Sequence, residues 1–207
     1  MNIRGLGVAL KFLPLKELFH SSRQYIILIQ ETMHSAQQEI CYFRRMFLDL
    51  YMVSTNVVGQ LGGLVALWDP RWFHMRVFSC FAAILLVRCI RGFPRHLHIH
   101  NIYAPYKEHC IFWEGMVASQ ILEFHSLILA GDMNYTIGTD EIWGGTNRSD
   151  SVLDMIKEIM LDHNFIDICP PMLSPTWNND RTSCGFVAKH LNRFLIHEEL
   201  LDIMGSV

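Results

Sequence analysis

The sequence has few charged residues and no excess of either sign. Charged residues make up 18% of the 207 residues, hydrophobic residues make up 51%, and the formal net charge is −3. A chain this apolar can bury a core, so its composition excludes disordered and fibrous proteins. The near-neutral charge also excludes a broad basic surface, so any binding of nucleic acid must come from a local patch.

The sequence also lacks the features that mark membrane, secreted and zinc-binding proteins. Its longest apolar run, residues 77–87, is about half of the ~20 residues that a membrane-spanning helix needs. This run predicts a buried strand region, and we expect no membrane association. Because no secretory leader is evident and none of the six cysteines forms a Cys-x-x-Cys pair, we expect an intracellular protein with reduced thiols. No protein partner is evident.

Short apolar runs recur along the chain, and most of them end in a small polar cluster. Runs of about four to eight residues bounded by Gly, Pro, Asn or Asp favour strands over helices. The predicted strands cover residues 25–29, 64–68, 97–103, 127–130, 165–168 and 193–196.

Residues with helical spacing lie between the predicted strands, over 10–19, 111–122 and 152–160. Ser151, with Asp154 three residues later, resembles a capping box at the start of the last of these helices. The segment 33–50 has no clear pattern. Buried strands that alternate with helices predict an α/β architecture. Because no repeat or linker interrupts the chain, we expect a single domain over residues 1–207.

Polar side chains fall where several predicted strands end. Glu31, Tyr103, Asp132 and Asn134 lie at or just beyond the ends of apolar runs, and Asn2 lies near the first residue. In α/β sheets such ends line the ligand crevice, so side chains from several strands can converge there. Carboxylates, carboxamides and a phenol without a Cys or His ligand set suit a hard cation such as Mg²⁺, with Mn²⁺ as the alternative.

Six segments resemble, in order and spacing, the endonuclease/exonuclease/phosphatase superfamily. The resemblance is specifically to the endonuclease-like domain of plant LINE-type non-LTR retrotransposons, and it extends from residue 1 to about residue 200. It implies an α/β fold, a four-layer sandwich of two mixed β-sheets packed face to face with helices outside. The segments are Asn2-Ile3-Arg4-Gly5-Leu6-Gly7, Gln30-Glu31-Thr32, Gly62-Gly63-Leu64, Asn101-Ile102-Tyr103-Ala104-Pro105, Gly131-Asp132-Met133-Asn134 and Pro175-Thr176-Trp177-Asn178-Asn179.

The resemblance implies a Mg²⁺-dependent phosphodiester hydrolase that nicks DNA, and hence the nucleus as its compartment. Glu31 would bind the metal ion, and Asn2 would belong to the shell around the metal and the phosphate. Asp132 would orient or deprotonate the attacking water. Asn134 would hold a phosphate oxygen, and Tyr103 would donate a hydrogen bond to the scissile phosphate.

Two departures from the superfamily pattern bear on activity. A Ser-Asp-His segment on the last strand is not found here, so we expect the domain to lack its last strand or strands. The Asp-Arg pair that orients this histidine is replaced by Asn192-Arg193. Replacing such an orienting carboxylate by its amide can cost about 10⁴-fold in rate. We therefore expect weak or no activity from Asp132 and its neighbours.

Other functions remain open from the sequence. The chain could be a non-catalytic relic or a nucleic-acid-binding module, or a phosphatase that acts on small phosphate esters. His96, His98 and His100 alternate along one strand face and suggest a zinc site, but no fourth ligand is apparent. Thr176-Trp177 either contacts nucleic acid or packs within a strand.

Overall fold

The computed structural model describes residues 2–3, 17, 25–56, 62–80, 83–89, 96–145 and 150–205. The chain divides into two compact units, Met1–Tyr103 and Ala104–Val207. The single domain expected from the sequence stays a prediction. Of the helix predicted over residues 10–19, only Glu17 is described.

The first unit contains a three-stranded sheet in the order β1-β3-β2. Both pairs are antiparallel, so that Ala66 lies opposite Leu28 on one side and Val53 on the other. Asn2 adds a parallel bridge to Gln30, which makes the sheet mixed. Every residue of the central strand is buried, as its uninterrupted apolar sequence indicates. The strands are β1 (Ile26–Ile29), β2 (Tyr51–Thr55) and β3 (Leu64–Trp68).

A second set of strands in the same unit comprises β4 (Arg76–Cys80), β5 (Ala83–Cys89) and β6 (His96–Tyr103). Strand β5 pairs with β4 on one side and with β6 on the other, and both pairs are antiparallel. The strand region predicted over 77–87 is confirmed, and it comprises two antiparallel strands with Val77 opposite Leu86. It is not buried throughout, because Phe78 on β4 is exposed. Strand β3 contacts β5 and β6, so the two sets of strands pack against each other.

Helix α1 (Ala36–Met46) covers β2 in the segment that the sequence pattern does not assign. Ser35 is its N-cap, and its hydroxyl accepts a hydrogen bond from the Gln38 backbone N–H. The Gln38 side chain closes a capping box on the Ser35 N–H. The helix buries Phe43 in a core cluster that includes Ile29, Phe47, Leu50, Val65 and Leu67.

The second unit contains an antiparallel set in which β12 (Asn192–His197) lies between β7 (Leu127–Asp132) and β9 (Phe165–Asp167). A smaller sheet has the order β10-β11-β8. Its members are β8 (Ile142–Trp143), β10 (Trp177–Asn178) and β11 (Ala188–Lys189).

Three helices belong to the second unit, within the residues that are described. They are α2 (His109–Ala118), α3 (Leu153–Asp162) and α4 (Glu198–Gly205). A separate 3₁₀ turn, Ile121–Glu123, follows α2, which is therefore shorter than the spacing predicts. The predicted capping box at Ser151 is wrong, because Val152 is the N-cap of α3 and no side chain caps it. None of the helices in the described segments has the length and apolar character to cross a membrane.

Candidate functional site

Glu31 follows the last residue paired at the end of β1 and has a left-handed backbone with φ of 57°. This conformation is uncommon for a residue with a side chain, and it bends the chain just after the end of β1. The Glu31 side chain is half-buried. Its Oε1 atom accepts a hydrogen bond of 2.5 Å from the hydroxyl of Tyr103, at the end of β6. Two of the predicted site residues are therefore in direct contact.

The residue before Glu31 is held by a buried amide pair. Gln30 is fully buried, and its Nε2 donates a 2.5 Å hydrogen bond to Oδ1 of Asn101. The Nδ2 of Asn101 donates to the backbone oxygens of Ile29 and Val65, at 3.3 and 3.1 Å. Asn101 thus joins β6 to two strands of the other sheet. Sequence reasoning placed Asn101 in a motif but assigned it no role.

Asn2 lies beside Gln30 in the first unit. The two residues form a parallel bridge, and the next backbone N–H, that of Ile3, donates to the Gln30 oxygen at 3.1 Å. The Gln30 Oε1 atom is buried and has no hydrogen-bond partner among the described residues. The first unit therefore places the Asn2 backbone beside Gln30, the residue that precedes Glu31.

In the second unit, Asp132 and Asn134 form a turn at the end of β7. Gly131 has φ of 144°, in the range that favours glycine, and Asn134 has φ of 55°. The Asp132 side chain is 2% exposed. Its Oδ1 accepts a 3.1 Å hydrogen bond from the Asn134 backbone N–H. This is an Asx-type turn, which is a local reason why Asp and Asn favour this spacing.

Ala104 ties the same turn to the segment that follows β6 in the chain. Its backbone N–H donates to the Asp132 carbonyl oxygen at 2.8 Å. Its carbonyl oxygen accepts a 2.5 Å hydrogen bond from Nδ2 of Asn134. One of the two donor hydrogens of the Asn134 amide is therefore engaged, while its carbonyl group is not involved in this bond.

Asn192 lies directly opposite Asp132 in the pairing of β12 with β7. Residues that face each other in an antiparallel pair project on the same side of the sheet, with Cβ atoms about 4.5–5.5 Å apart. The Asn192 Oδ1 atom is buried without a hydrogen-bond partner in the described segments. Its backbone N–H and that of Leu191 both donate to the Thr176 hydroxyl, at 3.0 and 2.8 Å. Thr176 thus has a packing role at this strand end.

A buried ionic network lies one residue further along β12. The Arg193 guanidinium bonds to the carboxylates of Glu141 and Asp167, and its side chain has no exposed surface. It also lies over the Tyr135 ring, 5.0 Å from the centroid. The Glu141 carboxylate in turn accepts from the Ile137 N–H at 2.6 Å. This network anchors the loop that follows Asn134. In the sequence, Arg193 was its only member that the motif analysis named.

The candidate site residues provide oxygen atoms of the kind that bind a hard cation. In the first unit these are the carboxylate of Glu31 and the buried Oε1 of Gln30, which no described residue contacts by a hydrogen bond. In the second unit they are the carboxylate of Asp132 and the Oδ1 of Asn192, which likewise has no partner within the described ranges. Carboxylate and amide oxygens suit Mg²⁺ or Mn²⁺. By donor type the residues fit such an ion, although no group of three or more His, Cys, Asp or Glu in the described ranges is placed to hold one.

The three alternating histidines of β6 differ in their surroundings. His96 is exposed, His98 is half-buried, and His100 is 4% exposed. Burial lowers the pKa of His100 to about 4. Burial, followed by the charge of His96, also lowers the pKa of His98. Burial therefore favours the neutral form of the two inner histidines. Among the described residues, these histidines do not join other His, Cys, Asp or Glu side chains in a group of three or more that could hold a zinc ion.

The chain is similar to solved structures of nucleic-acid enzymes, whereas no family model and no curated protein matches its sequence. The endonuclease domain of TRAS1, a telomere-specific non-LTR retrotransposon, is 13% identical with a TM-score of 0.70, over 98% of this chain and 84% of that chain. The AP endonuclease LMAP from Leishmania major is 13% identical with a TM-score of 0.71, over 97% and 78%.

A third similar structure is TDP2 from D. rerio, complexed with a single-strand DNA product. It is 12% identical with a TM-score of 0.61, over 93% of this chain and 78% of that chain. At such identities the likeness establishes the fold and leaves the site roles as predictions. The predicted fold class, an α/β sandwich of this type, is confirmed. The chain has the fold of the endonuclease/exonuclease/phosphatase superfamily.

Proposed function

We propose that this protein is a retroelement-derived phosphodiester hydrolase of the divalent-metal-dependent kind that nicks DNA, from a LINE-type retroelement of plants, and that its activity is weak or lost. The observation that carries the proposal is the 2.5 Å hydrogen bond between the Tyr103 hydroxyl and the Glu31 carboxylate. It orients a carboxylate just after the end of β1, in a chain that shares its fold with a retrotransposon endonuclease and an AP endonuclease. A DNA substrate would imply a nuclear location.

The proposed reaction adds water to phosphorus and breaks one P–O bond of the phosphodiester. Asp132, whose carboxylate is buried and oriented by the Asn134 N–H, would orient the water and accept its proton. Asn134 would hold a phosphate oxygen. Tyr103 would donate to the scissile phosphate, and in this structure its hydroxyl donates to Glu31. The leaving alkoxide takes up a proton to complete the step.

Glu31 and Asn2 would hold the divalent ion, which, when bound, neutralises phosphate charge and lowers the pKa of bound water. Mg²⁺ is the proposed ion and Mn²⁺ the alternative. Whether Glu31 and Asp132 serve one ion is tested by metal titration. If they do, wild-type protein binds a single Mn²⁺, and Glu31→Gln and Asp132→Asn each weaken that same site. Loss of binding in only one of the two variants would contradict a shared ion.

Plasmid nicking tests the proposed activity. Asp132→Asn removes the carboxylate charge, while its amide oxygen can still accept from the Asn134 N–H. We expect it to lower any Mg²⁺-dependent nicking about 10²–10⁴-fold, the usual contribution of a positioned acid or base. Asp154→Asn, at an exposed position in the first turn of α3, is the matched control and should nick like wild type. Nicking that survives chelation, or that is equal in both variants, would contradict the proposal.

A second candidate function is a DNA-binding protein that does not cut. The observation that favours it is Asn192, which places a neutral amide opposite Asp132, with an oxygen that has no hydrogen-bond partner in the described part of the chain. Under this alternative the protein retards DNA in a gel with no nicking in Mg²⁺ or Mn²⁺. Release of phosphate from small phosphate esters, without nicking, would favour a phosphatase instead.

A further inference from the structure

A buried carboxyl group lies behind the turn that carries Glu31. Glu39 belongs to α1, and its side chain is fully buried in the first unit. The Thr32 hydroxyl donates to its Oε1, and the Ser54 hydroxyl donates to its Oε2. A buried carboxyl group is costly unless it is hydrogen-bonded, and here both of its oxygens have a partner. Because one partner is Thr32, this carboxyl group is linked to the residue that follows Glu31.

The turn at Glu31 has a backbone that needs support from its surroundings. Glu31 and Met33 both have left-handed backbones, with φ of 57° and 58°. A non-glycine residue in this region is strained, and it persists where the neighbouring structure constrains it. Thr32, between them, is held by its backbone N–H, which donates to the Gly63 oxygen at 3.2 Å. The Thr32 hydroxyl bonded to Glu39 is its second anchor.

The glycine pair before β3 shows how closely this anchor is packed. A Cβ atom on Gly63 would lie 2.5 Å from the Thr32 hydroxyl oxygen and 2.6 Å from Oε1 of Glu39. A Cβ on Gly62 would lie 2.6 Å from the Cα of Glu31. A Cβ atom does not approach a non-bonded atom this closely. At Gly62 the obstacle is backbone, and at Gly63 a side chain would displace the Thr32 hydroxyl and the Glu39 carboxylate. The Thr32–Glu39 contact is therefore enclosed on the side of β3 as well.

We propose that Glu39 is a positioning residue which, through the Thr32 hydroxyl, sets the turn that presents the Glu31 carboxylate. The link to metal binding rests on the proposed function, since it requires that Glu31 bind the cation. The effect of Glu39 on the turn itself does not depend on the proposed function. Glu39 holds Thr32 by a hydrogen bond, and Thr32 fixes the backbone of the adjacent Glu31. The Glu31 carboxylate in turn accepts the hydrogen bond from Tyr103.

The Tyr103 hydroxyl gives a direct measure of where the Glu31 carboxylate lies. Protein labelled with 3-fluorotyrosine is observed by ¹⁹F NMR, and Tyr103→Phe assigns the Tyr103 signal. We expect Glu39→Ala and Thr32→Val to shift this signal, because both remove the anchor. Glu39→Gln should leave it close to wild type, because the amide oxygen can accept from Thr32 while the amide nitrogen donates to Ser54.

Phe47→Leu is the matched control for general loosening of this unit. Phe47 packs on Phe43 in the core under α1, with ring centroids 6.4 Å apart, and it follows Glu39 by about two helical turns. It should lower stability without moving the Tyr103 signal. An unmoved Tyr103 signal in Thr32→Val, with the other tyrosine signals retained, would overturn the proposal. An equal shift in Phe47→Leu would do the same, since it would reveal only a stability effect. If Glu39→Ala does not fold, Thr32→Val alone tests whether the Thr32–Glu39 hydrogen bond sets the position of the Glu31 carboxylate.

Titration with Mn²⁺ separates this inference from the proposed function. Residues that orient a metal ligand typically change metal affinity 10–100-fold when they are removed. We expect Glu39→Ala and Thr32→Val to weaken Mn²⁺ binding by about this factor, and Glu39→Gln to restore it. If wild type binds no Mn²⁺, the proposed function fails, while the ¹⁹F shift still decides the positioning role. Unchanged Mn²⁺ affinity in Thr32→Val would overturn the link to the metal.

Discussion

Replacing Arg193 by Met should destabilise the second unit strongly. The Arg193 side chain has no exposed surface, and it is the partner of two carboxylates, Glu141 and Asp167, which are 5% and 9% exposed. Removing it leaves both carboxylates buried with no positive charge beside them. Breaking a buried ion pair in this way costs about 3–5 kcal/mol. Because two carboxylates lose their partner here, we expect the upper part of that range, about 4–5 kcal/mol.

Urea unfolding followed by circular dichroism measures the effect on the free energy of unfolding. The triple variant Arg193→Met, Glu141→Gln, Asp167→Asn tests the cause, because it removes the uncompensated charges as well. We expect it to regain at least about half of the loss, since a buried ion pair as a whole contributes little net stability. Arg71→Met is the matched control. Arg71 is 74% exposed, and Asp69 keeps the hydrogen bond from the Arg71 backbone N–H when the side chain is replaced, so this change should lower stability far less than Arg193→Met.

A loss of less than about 1 kcal/mol in Arg193→Met would refute this reasoning, because it would mean that the two carboxylates are stable without Arg193. Failure of the triple variant to recover any stability would refute the electrostatic explanation in particular. In that case the packing of Arg193 on the Tyr135 ring would account for the effect.

Two further predictions concern buried carboxyl groups. Burial raises the pKa of Glu39 to about 7, with the Ser54 hydrogen bond opposing it. Between pH 4.5, the ordinary pKa of the group, and about pH 7, the folded state therefore binds more protons than the unfolded state. The free energy of unfolding should fall as pH rises through this window, by about 2 kcal/mol after solvent screening. Urea unfolding at several pH values should show a weaker dependence of stability on pH in Glu39→Gln. His34→Gln, measured in the same way, is the control for the ionisable ring that contacts the Thr32 backbone oxygen. An equally steep pH dependence in Glu39→Gln would contradict the role of Glu39. Asn192→Asp should lower the free energy of unfolding by about 1–3 kcal/mol at neutral pH, because it places a second carboxylate opposite Asp132. Urea unfolding should show this loss of stability vanish below about pH 4, where carboxyl groups become protonated. An equal loss at both pH values would exclude charge repulsion as the cause.

Much of the strand content could be predicted because it depends on local patterns. The run over 64–68 is buried throughout and forms β3 with the predicted bounds. The run over 77–87 is equally apolar, yet it forms two strands, since apolar composition does not show where a chain reverses. Helix α1 was missed because its buried side includes Glu39, which breaks the apolar pattern. The capping box expected at Ser151 did not form, whereas Ser35 has one.

The sequence by itself determined which polar residues stand at the strand ends, because strand length and turn chemistry are local properties. Only the tertiary structure decided what those residues touch. Tyr103 reaches Glu31 across 72 positions of the chain, and Asn192 lies opposite Asp132 through strand pairing. Neither contact follows from residue type or spacing. Each is produced when distant strands are brought into register, since register depends on the burial of whole sheet faces.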